Sequence, residues 1–104
     1  MESVLAHKSF QFAMRIVNLC KYLRNSQKGH ILSKQVLRSG TSIGANIAEA
    51  TQAQSKADFI AKLSIALKEA TETKCWLNLL SATGHLSSQE QESILSDCVE
   101  LEKC

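Results

Sequence analysis

The chain has 104 residues, no proline, four glycines and a formal net charge of +2. Its length suits one domain, and a composition with few helix breakers favours helices. No apolar run approaches the roughly 20 residues of a membrane-spanning helix, and the N-terminus lacks the cationic start and apolar block of a secretion signal. We therefore expect one all-α domain over residues 1–104, located in the cytoplasm.

Two amphipathic segments fill the first half of the chain. The first covers about residues 3–24, and its apolar stripe follows i, i+4, i+7 and i+11: Phe12, Ile16, Leu19 and Leu23. A polar break at residues 25–29 ends in a glycine, which often stops a helix. The second segment covers about residues 31–52, and its stripe contains Val36, Ile43, Ile47 and Ala50.

Two further segments fill the second half. The third opens with Ser55 and Asp58 at capping-box spacing and ends at Gly84. Its predicted apolar face consists of Phe59, Leu63, Ala66, Ala70, Leu77 and Leu80. The fourth opens with Ser87 and Glu90, again spaced as a capping box, and carries Ile94, Leu95, Cys98 and Leu101. Short loops between four helices predict an up-down-up-down antiparallel four-helix bundle.

A row of small residues interrupts the second segment. Gly40, Gly44 and Ala48 lie at i, i+4 and i+8. A glycine inside a helix costs roughly 1 kcal/mol relative to alanine, so two of them one turn apart need a compensating contact. The spacing predicts the close approach of another helix along this row.

The same region carries a family resemblance. The run LRSGTSIGANIAEA, residues 37–50, resembles the signature of the 23S rRNA intervening-sequence proteins, a family of small four-helix bundles. That family is similar in fold to the accessory variability determinant of diversity-generating retroelements. The resemblance implies the same bundle over nearly the whole chain, and a homopentameric ring.

Charge is unevenly distributed along the chain. Residues 1–48 carry seven lysines and arginines against one glutamate, whereas residues 49–104 carry five lysines against nine acidic residues. A basic half can bind a polyanion or pair with an acidic surface of another copy. The predicted nucleic-acid-binding residues are Lys8, Arg15, Lys21, Arg24, Lys28, Lys34 and Arg38. An ordinary solvated face is the alternative interpretation.

No residue pattern predicts catalysis. The histidines His7, His30 and His85 lie at segment ends without metal-ligand spacing, and no phosphate loop or nucleophile elbow occurs. The bundle also lacks the Glu-x-x-His motifs of di-iron sites. We therefore expect a protein that is not an enzyme and needs no metal or cofactor.

The reverse face of the third segment is unusually apolar. Ile65, Trp76 and Leu79 lie well off its main stripe, with Glu69 and Glu72 on the same side. Such residues occur as scattered surface apolars, but tryptophan is enriched at interfaces. We predict a subunit interface here, with a basic counterpart on a neighbouring subunit.

These patterns favour non-catalytic binding of structured RNA or an RNA–protein complex through the basic first and second helices. Tyr22 is the sole aromatic residue among the cations, so backbone or shape recognition is favoured over base stacking. A protein-interaction scaffold ring, docking a partner such as a reverse transcriptase, is the second hypothesis. A purely structural oligomer is the third.

Overall fold

The computed structural model describes residues 4–25 and 30–103. It contains four helices: α1 (Val4–Asn25), α2 (His30–Ala50), α3 (Lys56–Ala82) and α4 (Ser88–Lys103). The predicted all-α four-helix bundle is confirmed. Helix α2 continues through Gly40 and Gly44 without a break, and α4 is the shortest helix, with 16 residues against 27 in α3.

Each helix packs against its neighbours in a closed order, α1 on α2, α2 on α3, α3 on α4 and α4 on α1. Residues near the end of one helix contact residues near the start of the next helix. The Cys20 thiol of α1 donates to the Ser33 carbonyl of α2 over 3.2 Å, whereas Ser9 lies beside Gly44. This is the register expected of antiparallel neighbours, and it produces an elongated body of 44 × 22 × 19 Å.

The core follows the predicted stripes with one exception. The buried side chains include Phe12, Ile16, Leu23, Val36, Ile43, Ile47, Leu77, Leu80, Ile94 and Leu101. Cys20 and Cys98 are buried among them, as small core residues should be. Phe59 was expected in the core, but 42% of its surface is exposed. Phe59 lines a cavity with Leu5, Ile47 and Leu63, and no described residue of α4 lines that cavity, so this face of α3 stays open.

The predicted caps of the last two helices are present. The Asp58 amide donates to the Ser55 hydroxyl over 3.0 Å at the start of α3. Ser87 and Glu90 form the reciprocal capping box of α4, with bonds of 2.9 and 3.1 Å. Gly84 has a φ of 83°, the left-handed conformation that suits glycine after a helix. Gly84 and the capping box of α4 together fix the α3–α4 connection.

The small-residue row packs unevenly. A Cβ atom added at Gly40 would lie 2.9 Å from both γ carbons of Ile16, so α1 and α2 approach closely there. At Gly44 the nearest atoms, the Ser9 carbonyl oxygen and hydroxyl, would be 3.6 Å away. Ala48 is exposed, so its predicted close packing is not formed with another helix of the described chain.

Candidate functional site

Two of the predicted nucleic-acid-binding residues tie α1 to α4. Lys8 Nζ lies 3.0 Å from Glu100 Oε1, and Arg15 Nη1 lies 2.6 Å from Asp97 Oδ2. Arg15 also donates to the Ser93 hydroxyl over 2.7 Å. Both cations therefore have carboxylate partners on α4. These ion pairs help to hold α4 against α1.

Arg38 lies at the centre of a cluster between α2 and α3. Its guanidinium donates to Glu72 Oε2, and its Nη1 lies 3.6 Å from Glu69 Oε1. Trp76 Nε1 donates to the same Glu72 oxygen over 2.9 Å. Arg38 of the same chain is thus a basic counterpart of this acidic pair, and a further counterpart on a neighbouring subunit stays a prediction.

This cluster perturbs the titration of Glu72. The hydrogen bond from Trp76, followed by the hydrogen bond from Arg38, holds the pKa of the Glu72 carboxyl below its ordinary value of 4.5. Both donors favour the ionised form. The same contact with Glu72 raises the pKa of Arg38.

Trp76 should report the protonation of Glu72. It is the single tryptophan of the chain, so its fluorescence is unambiguous. Because the folded-state pKa is lowered, the contribution of Glu72 to stability is present above pH 4.5 and is lost as pH falls through the lower folded value. We expect a fluorescence transition below pH 4.5 in the folded protein, absent in Glu72→Gln. An identical transition in that variant would assign the signal to another group.

Three of the predicted cations have no carboxylate partner among the residues that the structure describes. Lys21, Arg24 and Lys34 are exposed, and none forms an ion pair within the described ranges. Arg24 is in the last turn of α1, and the Cys20–Ser33 contact brings the segments carrying Lys21 and Lys34 together. We call these three residues the cationic end. Lys28 falls outside the described residues.

The cationic end has the chemistry of a phosphate-binding surface. A lysine ammonium group binds phosphate as a point charge, and an arginine guanidinium group donates two parallel hydrogen bonds to it. Tyr22 lies beside these cations and is 59% exposed. No acidic residue occurs between Ser3 and Ala48, so the chain places no carboxylate from α1 or the first turns of α2 near this surface.

The apolar side chains of the predicted subunit interface on α3 are exposed to different degrees. Ile65 and Leu79 are each 40% exposed, whereas Trp76 is half-buried and packs against the core. Sequence reasoning missed a second exposed apolar set on α1, Phe10 and Met14. Their i, i+4 spacing on the side away from the core stripe was the available signal.

Other chemistry finds little support. Nowhere in the described part of the chain do three or more histidine, cysteine, aspartate or glutamate side chains gather closely enough to hold a metal ion. Burial raises the pKa of the Cys98 thiol to about 12, so this thiol stays protonated near neutral pH. No helix within residues 4–25 and 30–103 is both long enough and apolar enough to cross a bilayer.

Fold and surface together define a small helical-bundle protein with a cationic end. The chain belongs to the 23S rRNA-intervening sequence protein family, whose model matches residues 1–104. It is similar to a crystal structure of a protein of unknown function from the S23 ribosomal protein family of Bacteroides thetaiotaomicron, with 60% identity and a TM-score of 0.94. That match covers 96% of this chain and 93% of the other. No curated protein matches the sequence.

Proposed function

We propose that the protein binds structured RNA, alone or within an RNA–protein complex, and catalyses no reaction. The observation that carries the proposal is the cationic end, where Lys21, Arg24 and Lys34 are exposed and form no ion pair among the described residues. Retaining exposed cations together is favourable when an anion relieves their mutual repulsion. Lys8, Arg15 and Arg38 are left out of this surface because carboxylates of the same chain hold them.

The chemistry of the surface favours recognition of the RNA backbone and shape. Lysine and arginine contacts to phosphate carry little base information, and one exposed tyrosine offers little stacking. With three phosphate contacts, a salt dependence of about −0.9 per contact makes affinity fall about 40-fold between 50 and 200 mM salt.

Self-association is the second part of the proposal. A homo-oligomer, which the family resemblance implies to be a pentamer, would repeat the cationic end around a ring and raise affinity through avidity. The exposed Ile65 and Leu79 are the side chains that we place in the subunit contact.

The RNA proposal is tested by titrating a fluorescent structured RNA at about 50 and 200 mM salt. We expect binding that is steeply salt-dependent and lost in Lys21→Ala/Arg24→Ala/Lys34→Ala. The matched control is Lys56→Ala/Lys68→Ala/Lys103→Ala, which removes the same charge from exposed lysines on α3 and α4 and should retain most of the binding. Equal losses in the two variants would indicate attraction by net charge alone. No binding at low salt would contradict the proposal.

The oligomer proposal is tested by light scattering of the purified protein. We expect a mass several times that of the 11.4 kDa chain, and a shift toward the monomer in Ile65→Asp/Leu79→Asp. The control, Phe10→Asp/Met14→Asp, alters exposed apolar residues of α1 and should keep the wild-type mass. A wild-type protein that is monomeric at about 100 μM would contradict self-association.

A protein-interaction scaffold is the second candidate function. It is favoured by Phe10 and Met14, whose side chains are 64% and 48% exposed on α1. Through this face the protein would dock a partner such as a reverse transcriptase without contacting RNA. Binding of that kind should change little with salt and should be lost in Phe10→Ser/Met14→Ser, whereas RNA binding should survive that change.

A further inference from the structure

Helix α1 carries a second stripe on the face opposite its core stripe. The residues of this outer stripe follow i, i+4, i+7, i+11 and i+14, and they are Phe10, Met14, Val17, Lys21 and Arg24. All of them are exposed except Val17, which is half-buried. The outer stripe is therefore a straight row, about 21 Å long at 1.5 Å per residue, along the outside of the bundle.

Helix α2 lies beside the outer stripe along its whole length. Near the start of α1, Ser9 lies beside Gly44, so the neighbouring Phe10 is close to the small-residue row of α2. At the other end of the stripe, the cationic end adds Lys34 of α2 to Lys21 of α1. The face thus belongs to two packed helices, which hold its residues in fixed positions.

The chemistry of the outer stripe changes along its axis. Its first part is apolar, and Phe10 and Met14, one helical turn apart, are the exposed side chains there. Its last part is cationic, and Lys21 and Arg24 form no ion pair with any described residue. Adjoining exposed apolar side chains, unlike singly scattered ones, are typical of an interaction surface. The stripe therefore offers apolar contact at one end and positive charge at the other.

The axial order of apolar and cationic residues favours a protein helix as the partner. The phosphate backbone of RNA can pair with the cations, but it offers no apolar surface to Phe10 and Met14. A membrane surface requires apolar side chains in line with the cations around them, whereas here the two kinds follow one another. A helix that carries apolar residues on one pair of turns and carboxylates on the next matches both ends of the stripe.

The cations of this face lack competing acids on their own two helices. Residues 4–48 contain no aspartate or glutamate. The first acidic residue after them, Glu49, pairs with Lys62 over 2.7 Å. The carboxylates that hold Lys8 and Arg15 belong to α4, which packs on another side of α1. Complementary charge for the cationic end is therefore available from a second molecule, and an acidic segment supplies it.

We propose that the outer stripe and the cationic end together bind one helix of a partner protein, with its apolar turns on Phe10 and Met14 and its acidic turns on Lys21 and Arg24. The inference rests on the second candidate function, the interaction scaffold, and specifies the chemistry of the partner. Because the bound helix covers the cationic end, it excludes RNA from that surface. Partner and RNA therefore compete for one face of the bundle.

The test uses a fluorescein-labelled helical peptide of about 16 residues, with leucines on one side of its first two turns and glutamates on the same side of its last two. A second peptide of the same composition alternates leucine and glutamate along that side. We expect a Kd of about 10 μM for the first peptide and at least about tenfold weaker binding of the second. Raising salt from about 50 to 200 mM should weaken the first only about threefold, because exposed ion pairs contribute little.

Variants of the protein locate the peptide on this face. Two double variants should each weaken its binding about tenfold: Phe10→Ser/Met14→Ser and Lys21→Ala/Arg24→Ala. Two matched controls change exposed residues of α3 and should leave the binding unchanged: Ile65→Ser/Leu79→Ser and Lys56→Ala/Lys68→Ala. An excess of structured RNA should displace the labelled peptide from the wild-type protein.

Several outcomes would overturn the proposal. They are no peptide binding up to about 1 mM, equal binding of the two peptides, and equal losses in the variants and their controls. A loss confined to Phe10→Ser/Met14→Ser would keep the scaffold but exclude an acidic partner. Loss of self-association in that variant would assign the face to a second copy. RNA that binds without displacing the peptide would exclude a shared face. Because the peptides contain no phosphate, their failure leaves the RNA titration unaffected.

Discussion

Gly40→Ala should destabilise the protein, whereas Gly44→Ala, one helical turn away, should stabilise it. We expect the first change to lower the free energy of unfolding by roughly 1 kcal/mol and the second to raise it by up to about 1 kcal/mol. Urea denaturation of the two variants beside the wild type measures the difference. Both substitutions gain the same helix propensity, so the difference between them isolates packing.

The packing difference arises from the atoms that each new methyl group meets. At Gly40 the added Cβ lies 2.9 Å from two carbons of Ile16, which is fully buried and cannot move aside without disturbing the core. Overpacking of this kind costs about 1–3 kcal/mol. At Gly44 the nearest atoms of Ser9 are 3.6 Å away, an ordinary contact. Equal stabilisation by both changes would show that Ile16 has room to move.

Thr73→Val should lower the free energy of unfolding by about 1–3 kcal/mol. Thr73 Oγ1 lies 2.9 Å from Ser39 Oγ and 2.7 Å from the carbonyl oxygen of Glu69. Both hydroxyl-bearing side chains are fully buried. Valine keeps the shape of threonine but removes its hydroxyl, so the fully buried Ser39 hydroxyl loses this partner.

The double variant Ser39→Ala/Thr73→Val provides the control. It removes both polar groups, so no hydroxyl of the pair is left unsatisfied, and it should be more stable than Thr73→Val alone. Thermal or urea unfolding of the single and double variants gives the coupling directly. A double variant whose loss equals the sum of the single losses would mean that the two hydroxyls do not interact in solution.

Much of the fold could be predicted because its signals are local. The stripe of Val36, Ile43 and Ile47 gives α2 its buried face. Ser87 and Glu90 are three residues apart, and their reciprocal bonds need only the geometry of one helical turn. Gly84 marks the end of α3 for a similar reason, because its positive φ is a property of the turn itself.

The candidate site could be predicted only in part, because its partners are distant in sequence. Lys8 and Glu100 are 92 residues apart and meet only when α1 packs on α4. The basic first half and acidic second half suggested charges available to another molecule. In the structure, Lys8, Arg15 and Arg38 of the basic half form ion pairs with acidic residues of the second half. Much of the charge asymmetry is therefore neutralised within the chain. Among the described residues, only Lys21, Arg24 and Lys34 of the predicted nucleic-acid-binding set are exposed without an ion pair, so they can still bind an anion.

The exposure of Phe59 could not be predicted for a different reason. Its spacing marks a buried face, but whether a helix covers that face depends on how far α4 reaches along α3. The sequence places α4 correctly from Ser87 onward without giving its axial alignment with α3. That alignment depends on side-chain contacts such as Lys74–Glu102.

The way in which α4 is held has a consequence for motion in the native state. Three of the six ion pairs among the described residues join α4 to α1 or α3, and they are partly exposed to solvent. Its buried apolar anchors are few and include the small side chain of Cys98. Helix α4 is therefore the element most suited to detach while the other three stay packed. Its amide protons should exchange with deuterium before those of α2, and faster still at high ionic strength, where the ion pairs are screened.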